Sequence, residues 1–199
     1  EASRKNNCKV VYASTSHVYG IPKKIPISET ASTSPTSIYA GSKLAGEILC
    51  ESYQKQFNMD ISIVRIFSVY GPKSDNHYVL SNILTQLKTS NKIKLGNINS
   101  RRDFIFISDV TNAIKIILNN INGYNIYNVG AEKSYSIKEI CKKFEKLSGK
   151  KIIIKSNLKQ TRKFDVKNIV CDATKLKKLG WKSKMSLDKG LKKCMNIKN

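Results

Sequence analysis

Short apolar runs alternate along this chain with longer stretches whose apolar positions recur every three or four residues. KVVYA, residues 9–13, is a brief apolar run that ends in Ser14, Thr15 and Ser16. Such a run reads as a buried strand of a parallel sheet. Residues 21–37 are rich in Pro, Ser and Thr and read as a loop. Pro35-Thr36-Ser37 then predicts the opening of a helix that runs to Phe57. Ile61–Ile66 reads as a second strand, which Val69-Tyr70-Gly71-Pro72 breaks into a loop. A helix is predicted over 77–90 and a short extended segment over Arg101–Phe106. Asp109 reads as the N-cap of an amphipathic helix from Val110 to Asn120, with Val110, Ala113, Ile114, Ile117 and Leu118 on one side. Tyr124–Val129 is a third strand, ended by Gly130. Ser136 with Glu139 three residues later predicts a capping box on a helix to Leu147. Ile152–Ile154 reads as a strand, and Asp172–Leu179 and Leu187–Met195 as short helices. This alternation predicts an α/β fold with a parallel sheet.

Composition narrows the function classes. The 199 residues contain no apolar stretch long enough to span a membrane. The net charge of +22 invites a nucleic-acid reading. However, only five of the 36 basic residues are arginine, and the lysines are spread out without the interleaved aromatics of a single-strand binder. The charge therefore reads as solvated faces, compatible with an anionic substrate. The five cysteines are far apart, with no CxxC pair, and read as reduced thiols of a cytoplasmic protein, neither a zinc site nor a disulfide framework. His17 has no second ligand near it in sequence and reads as a structural or substrate-rim residue. Trp181 reads as packing.

The chemistry concentrates between Ser14 and Lys43. Tyr39 and Lys43 are four residues apart on the predicted helix and so share a face. A phenol titrates near ~10 and is a poor base at neutral pH, but a neighbouring ammonium favours the phenolate. Such a pair can serve as general acid or base on a substrate hydroxyl. Thr15, at the carboxyl end of the preceding strand, is placed to hold that hydroxyl, because parallel sheets bind ligands at those ends. A Tyr-x-x-x-Lys pair alone is common on solvated helix faces. Arg101 and Arg102 stand out in a lysine-rich chain, since bidentate phosphate recognition is what lysine cannot supply.

Taken together, VVYASTSHVYG, SPTSIYAGSKLAGE, RIFSVYGP, RRDFIFISDV, YNVGAEKSYS and TRKFDVKNIVCDATKLKKLGW resemble the extended short-chain dehydrogenase/reductases of the nucleotide-sugar epimerase/dehydratase family. The match covers nearly the whole chain in family order. The resemblance implies the carboxy-terminal part of a Rossmann-type parallel sheet with a small mixed α/β substrate-binding domain. Residues 1–72 would form the second half of the Rossmann domain. Residues 73–199 would mainly bind the nucleotide sugar, with 97–131 returning to the Rossmann part. Tyr39 would be the catalytic acid/base and Lys43 would hold the nicotinamide ribose. Thr15 would hydrogen-bond the sugar hydroxyl, and Ser14 would line the same end. Phe67 and Ser68 would cover the nicotinamide and sugar, Ser68 standing where many members have Asn. Arg102 and Arg162 would bind the nucleotide diphosphate, with Asp165 completing an Arg-x-x-Asp pattern. A homodimer formed through the Tyr-Lys helix is also implied, for which Leu44, Ile48, Leu49 and Tyr53 supply apolar surface. Core packing accounts for those four residues equally well.

The cofactor implied is NAD or NADP. The family binds its pyrophosphate on a Gly-rich turn. No two of the ten glycines here are three residues apart, so that motif is absent from these residues. The chain is therefore expected to be a fragment lacking the amino-terminal half, inactive by itself. The reaction expected of the whole is hydride transfer at C4 of a nucleotide-diphosphate sugar, by a 4-epimerase or a 4-keto reductase. A 4,6-dehydratase is the alternative. It is disfavoured because Ser16 and His17 stand where the elimination chemistry needs carboxylates. LGNINSRRDFIFISDV resembles the deoxymannose reductases and GDP-mannose dehydratases, whereas ASTSHVYG resembles the uronate and glucose epimerases. A degenerate, non-catalytic member with a binding or assembly role is the competing class.

Overall fold

A computed structural model describes residues 1–156 and 166–195. Eight strands and seven helices alternate through it. Helix α1 (Ala2–Lys5) leads into β1 (Val10–Thr15), a 3-10 turn (Ser16–Tyr19) and α2 (Ile38–Phe57). Next come β2 (Ile61–Ile66), β3 (Ser68–Tyr70), α3 (Val79–Thr89), β4 (Lys92–Leu95) and β5 (Arg101–Phe106). The chain continues through α4 (Ile107–Asn119), β6 (Tyr124–Val129), β7 (Ser134–Ser136) and α5 (Ile137–Ser148). Strand β8 (Ile153–Ser156) and helices α6 (Thr174–Lys177) and α7 (Leu187–Cys194) complete it.

The main sheet has the order β1-β2-β6, all parallel. Its central strand β2 is buried from Ile61 to Arg65, which explains its near-continuous apolar sequence. The register places Thr15, Ile66 and Val129 level with one another at the carboxyl ends. At Phe67 the chain changes partner. The Phe67 amide still donates to Val129 O, but Ser68 already pairs with Phe104 of β5.

Two apolar clusters form the core. One joins Val64, Val110, Ala113, Ile117, Val129 and Trp181 around the main sheet. The other joins Leu80, Ile83, Ile93, Phe106, Ile140, Phe144 and Leu191. Trp181 is fully buried and its Nε1 donates to Asp109 O, as its packing assignment expects.

The capping box on α5 is present in full, Ser136 Oγ accepting from the Glu139 amide and Glu139 from the Ser136 amide. Two expectations about helix starts need correction. Helix α2 begins at Ile38, with Ser37 as N-cap accepting from the Ala40 amide; Pro35 and Thr36 stay in the loop. Asp109 is not an N-cap: α4 begins two residues earlier, at Ile107. The Asp109 carboxylate instead accepts from Ser183 Oγ and from the amides of Lys184 and Met185, tying the carboxy-terminal segment to α4. The expected helix over 172–179 shrinks to the single turn of α6. Strands β3, β4 and β7 were not legible as strands; each is only three or four residues long.

Candidate active site

The carboxyl end of β1 supplies three successive groups. Ala13 offers its carbonyl, Ser14 a buried hydroxyl, and Thr15 a buried hydroxyl that accepts from the His17 amide at 3.2 Å. Helix α2 packs across β1 and the 3-10 turn. Tyr39, Lys43 and Glu47 project from it at intervals of four residues, and so from one face.

Lys43 Nζ donates to Ala13 O at 2.9 Å and lies 5.3 Å from the centre of the Tyr12 ring. The Tyr12 ring fills the space beside Gly46, where a Cβ would lie 2.2 Å from its hydroxyl. Burial raises the Tyr12 phenol above its ordinary value, with Cys50, Glu47 and Tyr39 adding to the shift. Tyr39 is 56% exposed and meets the His17 ring edge-on at 6.4 Å, which places His17 at the rim of this end. An acid/base group must face its substrate, and this exposure meets that need.

Thr15, Phe67 and Ser68 share the end of the sheet where the three parallel strands stop. Phe67 is buried and Ser68 half-buried. Arg102 lies at the start of β5, where its Nη1 donates to Arg101 O at 2.9 Å and to Val166 O at 2.7 Å. Arg101 is engaged by Glu139 Oε2 at 2.7 Å and by Ser134 O at 2.9 Å. Arg162 and Asp165 lie outside the described residues.

Sequence reasoning missed the most deeply buried charges near this site. Arg65 makes a bidentate ion pair with Glu47, its Nη2 2.7 Å from Oε2 and its Nε 3.1 Å from Oε1. Both side chains are buried. The Ser14 hydroxyl donates to the same Glu47 carboxylate. Arg65 Nη1 reaches Glu29 O at 3.2 Å, and the guanidinium stacks 4.8 Å from the centre of the Tyr19 ring. Burial pulls the Arg65 guanidinium down, but its bonds to Glu47 and its proximity to Tyr19 outweigh that and hold it above the ordinary value. Burial pushes the Tyr19 phenol up to about 12, and its hydroxyl donates to Asn128 Oδ1 at 2.7 Å. Two signals were available: an arginine inside a strand of a lysine-rich chain, and an acid four residues after Lys43.

The residues suited to a nicotinamide cofactor are those at its ribose end. An ammonium has three donors, of which Ala13 takes one, and the exposed Tyr39 hydroxyl stands on the same helix face. That donor set fits ribose hydroxyls. A Gly-rich pyrophosphate turn is not among these residues.

Residues 1–194 match the family model described as GDP-mannose 4,6 dehydratase. A UDP-glucuronate 4-epimerase from Thermodesulfobacterium geofontis is 34% identical over 94% of this chain and 58% of its own length. A dTDP-D-glucose 4,6-dehydratase from Mus musculus is 28% identical over 93% of this chain and 54% of its own length. The crystal structure of a UDP-glucuronic acid 4-epimerase from Bacillus cereus, in complex with UDP-glucuronic acid and NAD, superposes with a TM-score of 0.91. It is 29% identical, over 98% of this chain and 63% of that one. The chain thus spans little more than half the length of these two curated relatives. With its parallel sheet, its segment order and this match, the chain belongs to the nucleotide-sugar epimerase/dehydratase family of short-chain dehydrogenase/reductases, under the GDP-mannose 4,6 dehydratase model.

Proposed function

We propose that this chain carries the proton-transfer part of an NAD(P)-dependent enzyme that modifies a nucleotide-diphosphate sugar at C4, as a 4-epimerase or a 4-keto reductase. The observation that supports this reading is Lys43 tied to Ala13 O near Thr15, with Tyr39 one turn earlier on the same helix and against His17. Tyr39 takes the proton from the sugar hydroxyl on oxidation and returns it on reduction. Thr15 holds that hydroxyl by a hydrogen bond, and Ser14 lines the same end. Lys43 turns its remaining donors to the nicotinamide ribose. Phe67 and Ser68 cover the nicotinamide and sugar. A bound NAD or NADP supplies hydride exchange at C4. Arg102, with Arg162 and Asp165, binds the nucleotide diphosphate. The division between a Rossmann part over 1–72 and a substrate part over 73–199, with 97–131 returning to the first, belongs to this proposal. So does homodimerisation through α2, for which the exposed Ile48 and Leu49 supply apolar surface while Leu44 packs inward.

The similarity to a 4,6-dehydratase favours a second reading. Ser16 is buried and His17 exposed where elimination needs carboxylates, which weighs against it. The intact protein would be incubated with NAD or NADPH and, in separate reactions, UDP-glucose, UDP-glucuronate and GDP-4-keto-6-deoxymannose, with products identified by NMR. A C4 epimer or a reduced 4-keto sugar is expected. Accumulation of a 4-keto-6-deoxy sugar moves the protein to the dehydratases. No turnover of any sugar nucleotide leaves the non-catalytic reading.

A further inference from the structure

Only two residues of the twenty-residue helix α2 are buried, Ala40 and Glu47. The deepest polar group on the helix is thus a carboxylate, at a position where a leucine would pack without desolvating a charge. Stability does not explain that choice. Replacing a buried ion pair by apolar residues of similar volume is often neutral or stabilising. What an ion pair provides, and an apolar contact does not, is direction.

The directions here converge on the proposed site. Glu47 receives both prongs of Arg65 from β2, the central strand. It also receives the Ser14 hydroxyl from β1. One turn earlier, Lys43 donates to Ala13 O. Successive residues of β1 are therefore tied to successive turns of α2, and the tie runs on through Arg65 to Glu29 O and the Tyr19 ring. Lys43 alone has a flexible stem and holds the helix loosely. The planar guanidinium fixes Glu47 in angle as well as distance. One residue of axial slip would move every side chain on α2 by about 1.5 Å. Misplacement by about 1 Å is enough to cost about 100-fold in rate.

We propose that the Glu47–Arg65 ion pair is a positioning device that sets the axial register of α2 against the carboxyl end of β1, a role that rests on the acid/base reading of Tyr39. Glu47 and Arg65 are both buried, away from the exposed Tyr39 hydroxyl. They act through Ser14, Lys43 and Tyr39.

The test is the double substitution Glu47→Met with Arg65→Met, which removes both charges, keeps the side-chain length at 47 and leaves an apolar, somewhat shorter side chain at 65. The melting temperature of the intact protein should stay within about 5 °C of the unmodified value. Its kcat should fall at least about 30-fold while KM for the nucleotide sugar changes less than about 3-fold. A crystal structure of the variant should show α2 displaced and Lys43 no longer bonded to Ala13 O. An unmoved helix, or kcat within about 3-fold of the unmodified value, overturns the proposal. Glu47→Asp serves if the double variant does not fold. It keeps the charge but shortens the link, and should lower kcat about 10-fold; unchanged kcat overturns the proposal equally. If the unmodified protein turns over no sugar nucleotide, the functional reading fails, and the Lys43–Ala13 contact in the variant crystal structure decides the positioning claim separately.

Discussion

Lys43 Nζ is held 2.9 Å from Ala13 O, so the cation of the Tyr-Lys pair is anchored to the strand end that carries Thr15. The anchor is partial: Lys43 keeps donors for a ligand. Tyr39→Phe removes one exposed hydroxyl and should leave the melting temperature within about 2 °C. In the intact protein it should lower kcat by about 100-fold or more, because a positioned acid/base contributes about that much. Lys43→Met should do the same with a rise in KM for the cofactor. Unaltered turnover by the Tyr39→Phe protein would disprove the acid/base assignment.

Cofactor affinity offers a second check. These 199 residues contain no glycines spaced to cradle a pyrophosphate, and the ribose contacts proposed for Tyr39 and Lys43 would be a small part of a dinucleotide's surface. Calorimetry of the 199-residue polypeptide with NAD or NADP should show no binding at micromolar concentrations. Micromolar affinity would mean that another part of the chain holds the phosphates.

Breaking the buried ion pair from one side is a different experiment from removing it whole. Glu47→Ala leaves the Arg65 guanidinium buried against Tyr19 without its counter-charge and deprives the Ser14 hydroxyl of its acceptor. The expected loss is about 3–5 kcal/mol of unfolding free energy. Urea unfolding followed by circular dichroism measures it. A loss below about 1 kcal/mol would show that water reaches Arg65.

Tyr70 presents the opposite problem. Its hydroxyl is buried without a hydrogen-bond partner among the described residues, beside Gly190, where a Cβ would lie 2.2 Å from the oxygen. Its ring packs edge-on against Phe104 and Phe106. Tyr70→Phe keeps those ring contacts and removes the unsatisfied oxygen, so it should stabilise the fold by about 1 kcal/mol. Gly190→Ala forces the ring aside and should cost about 1–3 kcal/mol. The two changes share an atom and should not add: the cost of Gly190→Ala should shrink in the Tyr70→Phe background.

The sequence revealed what local chemistry decides. The strand of residues 61–66, the capping box at Ser136 and the shared face of Tyr39 and Lys43 each follow from residues close together in the chain. What escaped it depends on distant partners. Asp109 has the look of an N-cap, but its three donors sit more than seventy residues away, at Ser183, Lys184 and Met185. Strand β4 is a strand because it pairs with β8, and alternating Lys92-Ile93-Lys94-Leu95 is too short to announce itself. Glu47 reads as an ordinary exposed helix acid until β2 brings Arg65 beneath it. Arg102 was singled out for its rarity. The structure shows it tied to the Val166 segment, which leaves its diphosphate role resting on the resemblance.

Asp103 provides the pH test. Its carboxylate is fully buried and accepts from the amides of Ala131, Glu132 and Cys171, tying the turn after β6 to the distant Cys171 segment. Burial raises its pKa, the three amide bonds lower it, and burial prevails at about 6. The fold therefore favours the protonated acid relative to the unfolded chain, where the value is 3.8. The contribution of Asp103 to stability is fully present below about pH 4 and is lost as pH rises through 6. The gap corresponds to about 3 kcal/mol. Asp103→Asn cannot titrate and serves as the reference. Between pH 4 and pH 7 the unmodified protein should lose about 2 kcal/mol of unfolding free energy relative to that variant, with the change levelling off above pH 7. A relative stability that instead grows with pH would mean that the three amide donors outweigh burial and hold Asp103 as a carboxylate throughout.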